Sequence, residues 1–229
     1  MEVIGIVGVA AASVSIPLAA VAASTAVVGI SQGVNSSQQG GGGGKAAEPD
    51  KSDPRLAKFN LVAECSMPVS SPGLSPAKLV HGKIVVLRKG KLYLDVADPE
   101  YRIFSDGHPF SGFYLEYPVG NKPLSLVSTI SRDPPELNWI YADDDTLELK
   151  YGNKTASMNH IHGPWDWTAD QSAMVLEGWE GFVALEESPG VWSLYFDQDD
   201  DLLESSGIAN GRRVVECSLR RRLEPPKKS

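Results

Sequence analysis

Two histidines separated by one residue are the first feature of the sequence that could do chemistry. They are His160 and His162, in the stretch MNHIHGPWDWT. Alternate residues of a β-strand project from the same face, so the two imidazoles could contact one metal ion. Further ligands would have to come from His81 or His108, each in a turn-like setting. The competing interpretation, which we favour, is that each histidine ends a strand and hydrogen-bonds to loop backbone.

The H-x-H spacing is similar to the first motif of the cupins, which are metal-binding β-barrels. The chain departs from that motif, because Gly152 lies too far upstream and the following acid is Asp166 instead of glutamate. The stretch SPGVWSLYF, where a second cupin motif would fall, contains no histidine. A cupin-like metal site at His160 and His162 therefore remains a rival hypothesis, and we expect no cofactor.

Aromatic residues next to turn formers indicate a binding surface instead. If GPWDWT is extended, Trp165 and Trp167 share one face, with Asp166 between them. Trp179 lies among glycines and acids in EGWEGF. Exposed tryptophans can stack on sugar rings, and the mouth of a barrel can hold an apolar ligand. Trp165, Asp166, Trp167 and Trp179 are therefore the candidate ligand-binding residues, although core filling is the favoured interpretation of these tryptophans.

No catalytic residue is predicted. The chain has no G-x-S-x-G motif and no phosphate-binding glycine loop, since Gly40–Gly44 follows no strand. The acidic runs that begin at Asp143 and Asp197 lack the spacing of a calcium loop and are typical of turns. The many carboxylates permit a hydrolase, but the sequence does not say which two would face each other.

The two cysteines, Cys65 and Cys217, occupy similar strand-like stretches near the two ends of the polar part of the chain. If the first and last strands pair, the thiols would approach each other. A disulfide between Cys65 and Cys217 is one expectation, and two buried free thiols are the favoured alternative.

The elements that must position these residues differ along the chain. Residues 3–30 carry no charge, and about 20 apolar residues span a bilayer as a helix. We predict an apolar helical segment over residues 1–34, acting as a membrane anchor or a signal, with a protein-packed helix as the alternative. Small residues spaced by four would also allow homo-oligomers through this helix. A disordered Gly-rich linker is predicted over residues 35–54.

Period-two alternation dominates residues 55–223, for example in KFNLVAECS, and turn residues recur about every ten positions. The stretch KIVVLRKGKLYLDV predicts a hairpin with a turn at Lys89 and Gly90. We therefore predict an all-β domain, an antiparallel barrel or sandwich. Residues 224–229 form a basic tail, whereas the net charge of −8 argues against a nucleic-acid partner.

From about residue 59 to residue 219 the chain resembles a group of uncharacterised proteins of ascomycete fungi. The residues behind this resemblance are HGKIVVLRKGKLYLD, GHPFSGFYLEYP, HGPWDW and LEGWEGFVALEE. The resemblance implies a fungal source, and it implies no activity.

Together these features predict a non-enzymatic binding or interaction module, tethered to or delivered across a membrane. Its aromatic-edged mouth would take a carbohydrate or a small apolar ligand. The expected location is membrane-associated through residues 3–30, with secreted or intracellular soluble protein as alternatives. The rival functions are a barrel enzyme, with a cupin-like metal site or a carboxylate hydrolase, and a membrane-active protein with a regulatory β domain.

Overall fold

A computed structural model of the protein describes residues 53–66, 75–132 and 135–224. These residues form fourteen short strands and four single-turn helices. The prediction of an all-β domain is confirmed. The predicted apolar helical segment (1–34) and nearly all of the predicted linker (35–54) lie outside the described residues. Within those residues, no helix has the length and apolar character needed to cross a membrane.

The strands form three units with the same order, in which a barrel strand leads to a hairpin and a second barrel strand returns. In the first unit, the hairpin turn at Lys89 and Gly90 has positive φ at both residues, as a two-residue turn requires, so the predicted hairpin is confirmed. The first unit contains a 3₁₀ turn at Pro54–Leu56, β1 (Phe59–Glu64), α1 (Pro76–Val80), β2 (Ile84–Arg88), β3 (Lys91–Asp95), a 3₁₀ turn at Pro99–Tyr101, β4 (His108–Pro109) and β5 (Gly112–Glu116).

The second and third units repeat this order, with a short additional strand before the last strand of the third. The second unit contains β6 (Leu124–Arg132), β7 (Pro135–Ala142), β8 (Leu149–Gly152), α2 (Lys154–Ser157) and β9 (Trp165–Trp167). The third unit contains β10 (Met174–Leu176), β11 (Phe182–Ser188), β12 (Val191–Phe196), β13 (Val214–Glu216) and β14 (Ser218–Leu223).

Six strands, two from each unit, close a barrel. Strand β1 pairs antiparallel with β14 along its whole length, β5 pairs with β1 and β6, and β9 pairs with β10. A bridge between Ala173 and Arg220 joins β10 to β14, and β9 packs beside β6. The barrel is therefore the correct alternative of the two that the sequence left open.

The three hairpins close one end of this barrel as a cap. Register pairs Lys91 of β3 with Lys150 of β8, and Trp192 of β12 with Leu94 of β3. A bridge from Glu148 to Tyr195 completes the circle between the second and third hairpins. We call the opposite end of the barrel the open end; the described chain begins and ends there, and the turns between β5 and β6 and between β9 and β10 lie there.

The largest of four hydrophobic clusters in the described residues fills the barrel and continues under the cap. The alternation predicted for β1 is observed, because Phe59, Leu61 and Ala63 all point inward and are buried. Gly112 of β5 allows the closest approach, since a Cβ there would lie 2.3 Å from the carbonyl oxygen of Val127. Core packing around the barrel thus requires glycine at this position.

Candidate functional site

Strand β9 places Trp165 and Trp167 on one face, as predicted, but that face is the inside of the barrel. Trp165 is only 1 % exposed. It stacks on Phe182 and donates its indole N–H to the carbonyl oxygen of Ile140. Trp165 is therefore a core residue, the interpretation that the sequence favours for these tryptophans, and it does not lie at an exposed edge.

Trp167 lies at the open end of the barrel and is covered by cations. The guanidinium carbons of Arg55 and Arg221 lie 4.6 Å and 4.2 Å from the centre of its ring. Asp166 points the other way and accepts a hydrogen bond from Arg55 at 3.2 Å. A sugar could not stack on the indole face that a guanidinium occupies. Asp166 and Trp167 thus belong to a polar closure of the open end.

Trp179 is half-buried in the turn between β10 and β11. Its ring packs against Phe196 and folds over Gly181, where a Cβ would lie 2.3 Å from the indole. The structure therefore does not bring Trp179 together with Trp165 and Trp167 around one mouth.

The histidines His160 and His162 are engaged separately. His160 stacks on Tyr141 and its Nδ1 accepts a hydrogen bond from the backbone N–H of Asp144. His162 stacks on Tyr117, and its Nδ1 lies 2.8 Å from the carbonyl oxygen of His160. This is the loop role that we favoured from the sequence. Among the described residues, no group of three or more His, Cys, Asp or Glu side chains could hold a metal ion.

Cys65 and Cys217 are both buried and free. The β1–β14 register pairs Glu64 with Ser218, so the next residues along each strand, the two cysteines, lie opposite each other. Burial raises the pKa of Cys65 to about 11, and burial together with the neighbouring Cys65 thiol raises that of Cys217 further. Both groups are therefore thiols at neutral pH and react poorly.

The acidic runs organise turns. Asp143 accepts hydrogen bonds from the backbone of Asp145 and Thr146, and Asp197 accepts one from Leu202 at 2.7 Å. These carboxylates satisfy backbone donors of their own loops, as the sequence predicted.

A concave site that sequence reasoning missed lies in the cap, and we call it the cap groove. Its volume is about 410 Å³, within the usual range for ligand sites. Each unit contributes to it, and the third unit adds the loop of residues 198–213. The groove is lined by Lys91, Glu148, Glu187, Tyr195, Asn210 and Arg212, with Asp145, Thr146, Gly207 and Ile208 at its edges.

Lys91 is the centre of the groove's charge network. Its ammonium group donates to Glu148 and, at 3.1 Å, to Glu187. Tyr195 donates to Glu148 at 3.1 Å, and Tyr93 donates to Glu187 at 3.3 Å. The groove therefore presents a cation, two carboxylates and the phenol of Tyr195, and Tyr93 joins the same set of hydrogen bonds from outside the lining.

The electrostatics keep Lys91 and Glu148 charged at neutral pH. Burial alone would raise the pKa of Glu148, but Lys91 and Lys150 outweigh it and the pKa is lowered. Burial alone would lower the pKa of Lys91, but Glu148 and Glu187 outweigh it and the pKa is raised. Burial, with the charge of Glu148, raises the pKa of Tyr195 to about 12, so its phenol stays a donor.

The loop of residues 198–213 forms one wall of the groove and has an unusual backbone. Asp200, Leu202, Leu203 and Asn210 all have positive φ, with values of 59° and 64° for the two leucines. A bulky residue rarely adopts this conformation, and each instance costs about 1–3 kcal/mol. A second cavity of about 480 Å³, lined by Leu202 and Val214 among others, shares Arg212 with the cap groove.

A repeated sequence signal marks the residues that begin the long loops. Strands β3, β8 and β12 each end in Tyr-x-Asp or Tyr-x-Asn, and the acid or amide side chain then accepts backbone N–H groups of the loop that follows. The three copies end in Asp95, Asn153 and Asp197, and their tyrosines are Tyr93, Tyr151 and Tyr195. Two of these tyrosines also reach the cap groove network, so this repeat was the signal that could have found it.

Comparison with known proteins agrees with the three-unit barrel. A family model described as a fungal β-trefoil domain matches residues 29–225. No curated protein and no solved structure matches the chain.

Proposed function

Because the chain belongs to the fungal β-trefoil domain family, we propose that it is a non-enzymatic carbohydrate-binding module whose site is the cap groove. Domains of this fold often bind carbohydrates. A fold by itself does not assign a function, so the site must carry the argument. The observation that carries it is the close spacing of donors and acceptors around Lys91 in a groove of about 410 Å³.

The groove's chemistry favours a sugar over an apolar ligand. A sugar ring presents several hydroxyl groups, each of which can donate and accept a hydrogen bond. Glu148 and Glu187 accept, while Lys91 and Arg212 donate, so neighbouring hydroxyls of one ring could each be satisfied. An apolar ligand would displace water from these charged groups and offer them no hydrogen bond in exchange, which is unfavourable.

Binding without hydrolysis follows from the protonation of the carboxylates. A glycoside hydrolase needs one carboxyl group with a raised pKa, so that it can protonate the leaving oxygen. The pKa of Glu148 is lowered instead, because Lys91 and Lys150 outweigh the effect of its burial. Glu148 thus lacks the proton that such an acid must donate.

The proposal is tested by screening the full chain on a glycan array and measuring the best hit by calorimetry. Glu187→Gln removes one charged acceptor from the groove and keeps its size. A hydrogen bond to a charged group contributes about 1.5–3 kcal/mol, so affinity should fall about 10- to 100-fold. Glu100→Gln is the matched control, since Glu100 is exposed in the Pro99–Tyr101 turn of the first unit. Absence of glycan binding by the unaltered chain, or equal loss in both variants, would refute the proposal.

We also propose that residues 3–30 deliver this module to or across a membrane. The support is the absence of charge over a length sufficient to span a bilayer. Fractionation of cells that express the full chain or a form without residues 1–34 tests the proposal. The full chain should sediment with membranes and the shortened form should not, and identical distributions would contradict it.

A further inference from the structure

The open end of the barrel carries a pair of arginines on one tryptophan, which we call the arginine pair. Arg55 reaches Trp167 from the turn that precedes β1, and Arg221 reaches it from β14. Arg221 also lies 4.8 Å from the centre of the Phe59 ring. Cation–π contacts of this kind hold guanidinium groups in fixed positions. The pair is therefore a built arrangement and not two mobile surface side chains.

The two arginines differ in how their charge is balanced. Arg55 forms an ion pair with Asp166 at 3.2 Å. Arg221 forms no ion pair with any carboxylate in the described part of the chain; its Nη1 donates to the carbonyl oxygen of Gln171 at 2.8 Å. Its Nε–H is buried and has no hydrogen-bond partner among the described residues. Asp166 thus balances the charge of Arg55 alone, and Arg221 keeps donors that no carboxylate of the described residues occupies.

The electrostatic surroundings of Arg221 agree with this count. Burial lowers its pKa, the phenol of Tyr114 raises it, and Arg55 lowers it again. No carboxylate contributes to that balance within the described residues. A guanidinium remains protonated in any protein, so Arg221 is a partly desolvated cation that has no counter-ion among the described residues.

We propose that the arginine pair is a receptor for the oxyanion group of a small ligand, a carboxylate, phosphate or sulfate. Both guanidinium carbons lie less than 5 Å from the centre of the Trp167 ring, so two cations flank one indole. Arg55 and Asp166 keep more than a third of their side-chain surface exposed, so the ligand has access from solvent. A planar fork of donors matches such groups in two-point contacts.

The site is separate from the cap groove, since the barrel's open end lies opposite the cap. Its ligand chemistry also differs, because it calls for a negative group instead of a ring of hydroxyls. The anion could be free in solution or carried by an acidic sugar, and the experiment separates these two sources.

The test follows the Arg Nε–H resonances of the full chain by NMR during titration with sodium sulfate, phosphate or glucuronate. Sodium chloride at equal ionic strength is the reference. The resonance of Arg221, identified by its loss in Arg221→Lys, should shift and saturate at millimolar oxyanion. Tighter binding of glucuronate than of sulfate would assign the group to an acidic sugar, and the reverse order to a free anion.

Variants distinguish this site from general attraction between charges. Arg221→Lys keeps the charge but loses the fork, and sulfate affinity, measured by calorimetry, should fall at least tenfold. Arg55→Gln should weaken binding similarly, and it provides the test if Arg221→Lys does not fold. The matched control is Arg222→Gln, since Arg222 is the next residue of β14 and is exposed. Absence of a saturable shift, or an equal loss in Arg222→Gln, would overturn the proposal.

Discussion

The three side chains that begin the long loops should contribute unequally to stability, although they occupy equivalent positions. Asp95 is fully buried and accepts three backbone N–H groups, those of Val96, Ile103 and Phe104, at 2.8–3.0 Å. Replacement by alanine leaves these donors without their acceptor. A buried unsatisfied donor costs about 1–3 kcal/mol, so Asp95→Ala should lower the free energy of unfolding by about 3–5 kcal/mol.

Alanine substitution at the other two positions should lower the free energy of unfolding less, because these side chains accept fewer backbone N–H groups. Asp197 is buried and, among the described residues, accepts from Leu202 alone, so Asp197→Ala should cost about 1–3 kcal/mol. Asn153 is the N-cap of α2 and accepts one exposed N–H, that of Ala156. Loss of such a cap typically costs about 1 kcal/mol. The expected order of destabilisation is Asp95, then Asp197, then Asn153.

Urea unfolding followed by circular dichroism measures all three variants on one scale, with the slope against urea as a check that the unfolded state is unchanged. Asp95→Asn is the sharper control, because it keeps the volume but turns one acceptor into an NH₂ group that faces a backbone donor. Asp95→Asn should still lower the free energy of unfolding by about 2 kcal/mol. The reasoning would be refuted if Asp95→Asn left the free energy of unfolding unchanged. It would also be refuted if Asn153→Ala were as destabilising as Asp95→Ala, because backbone hydrogen bonding would then not be what Asp95 contributes.

Three further predictions concern charge, thiol reactivity and packing. Burial alone would raise the pKa of Asp143, but Lys150 and the loop N–H groups lower it to about 2, below the unfolded value of about 3.9. The stability that Asp143 contributes is therefore complete above the unfolded pKa and is lost as the pH falls towards 2. Asp143→Asn should lower the free energy of unfolding by about 2 kcal/mol at pH 6, and urea titrations at lower pH should show a smaller difference between variant and unaltered protein. Cys65 and Cys217 should resist a thiol reagent at pH 8 in the native protein and react fully in denaturant, and rapid native reaction would contradict their burial. Trp165→Ala should lower the free energy of unfolding by about 3–5 kcal/mol, whereas a ligand-edge residue would leave it nearly unchanged.

Local features of the fold could be predicted because their cause is local. The alternation of Phe59, Leu61 and Ala63 follows from the two-residue period of a strand with one buried face. The turn at Lys89 and Gly90 follows from the need for positive φ in a two-residue hairpin. Barrel closure was not predictable in this way, because the pairing of β1 with β14 depends on residues far apart in sequence.

The predicted ligand residues illustrate the limit of periodicity. Spacing correctly placed Trp165 and Trp167 on one face, but it does not say whether that face is the core or a mouth. The cap groove was missed for another reason: Lys91, Glu148 and Glu187 come from three different hairpins and share no motif.

The distribution of backbone strain gives an independent reason to place function in the third unit. All three loops that follow the Tyr-x-Asp or Tyr-x-Asn positions make the same connection, from a cap hairpin back to a barrel strand. The loops of the first two units, both described in full, contain no non-glycine residue with positive φ, whereas residues 198–213 hold two adjacent leucines in that conformation. At about 1–3 kcal/mol per residue, such a backbone persists only where surrounding contacts enforce it.

Since the other loops complete the same return without this strain, barrel closure alone does not require it. The strained segment is also the one that walls the cap groove. Replacement of residues 198–213 by the shorter sequence of residues 96–107 should therefore preserve folding, followed by circular dichroism, and abolish glycan binding on the array. If that chimera still binds glycans, the cap groove is not the binding site.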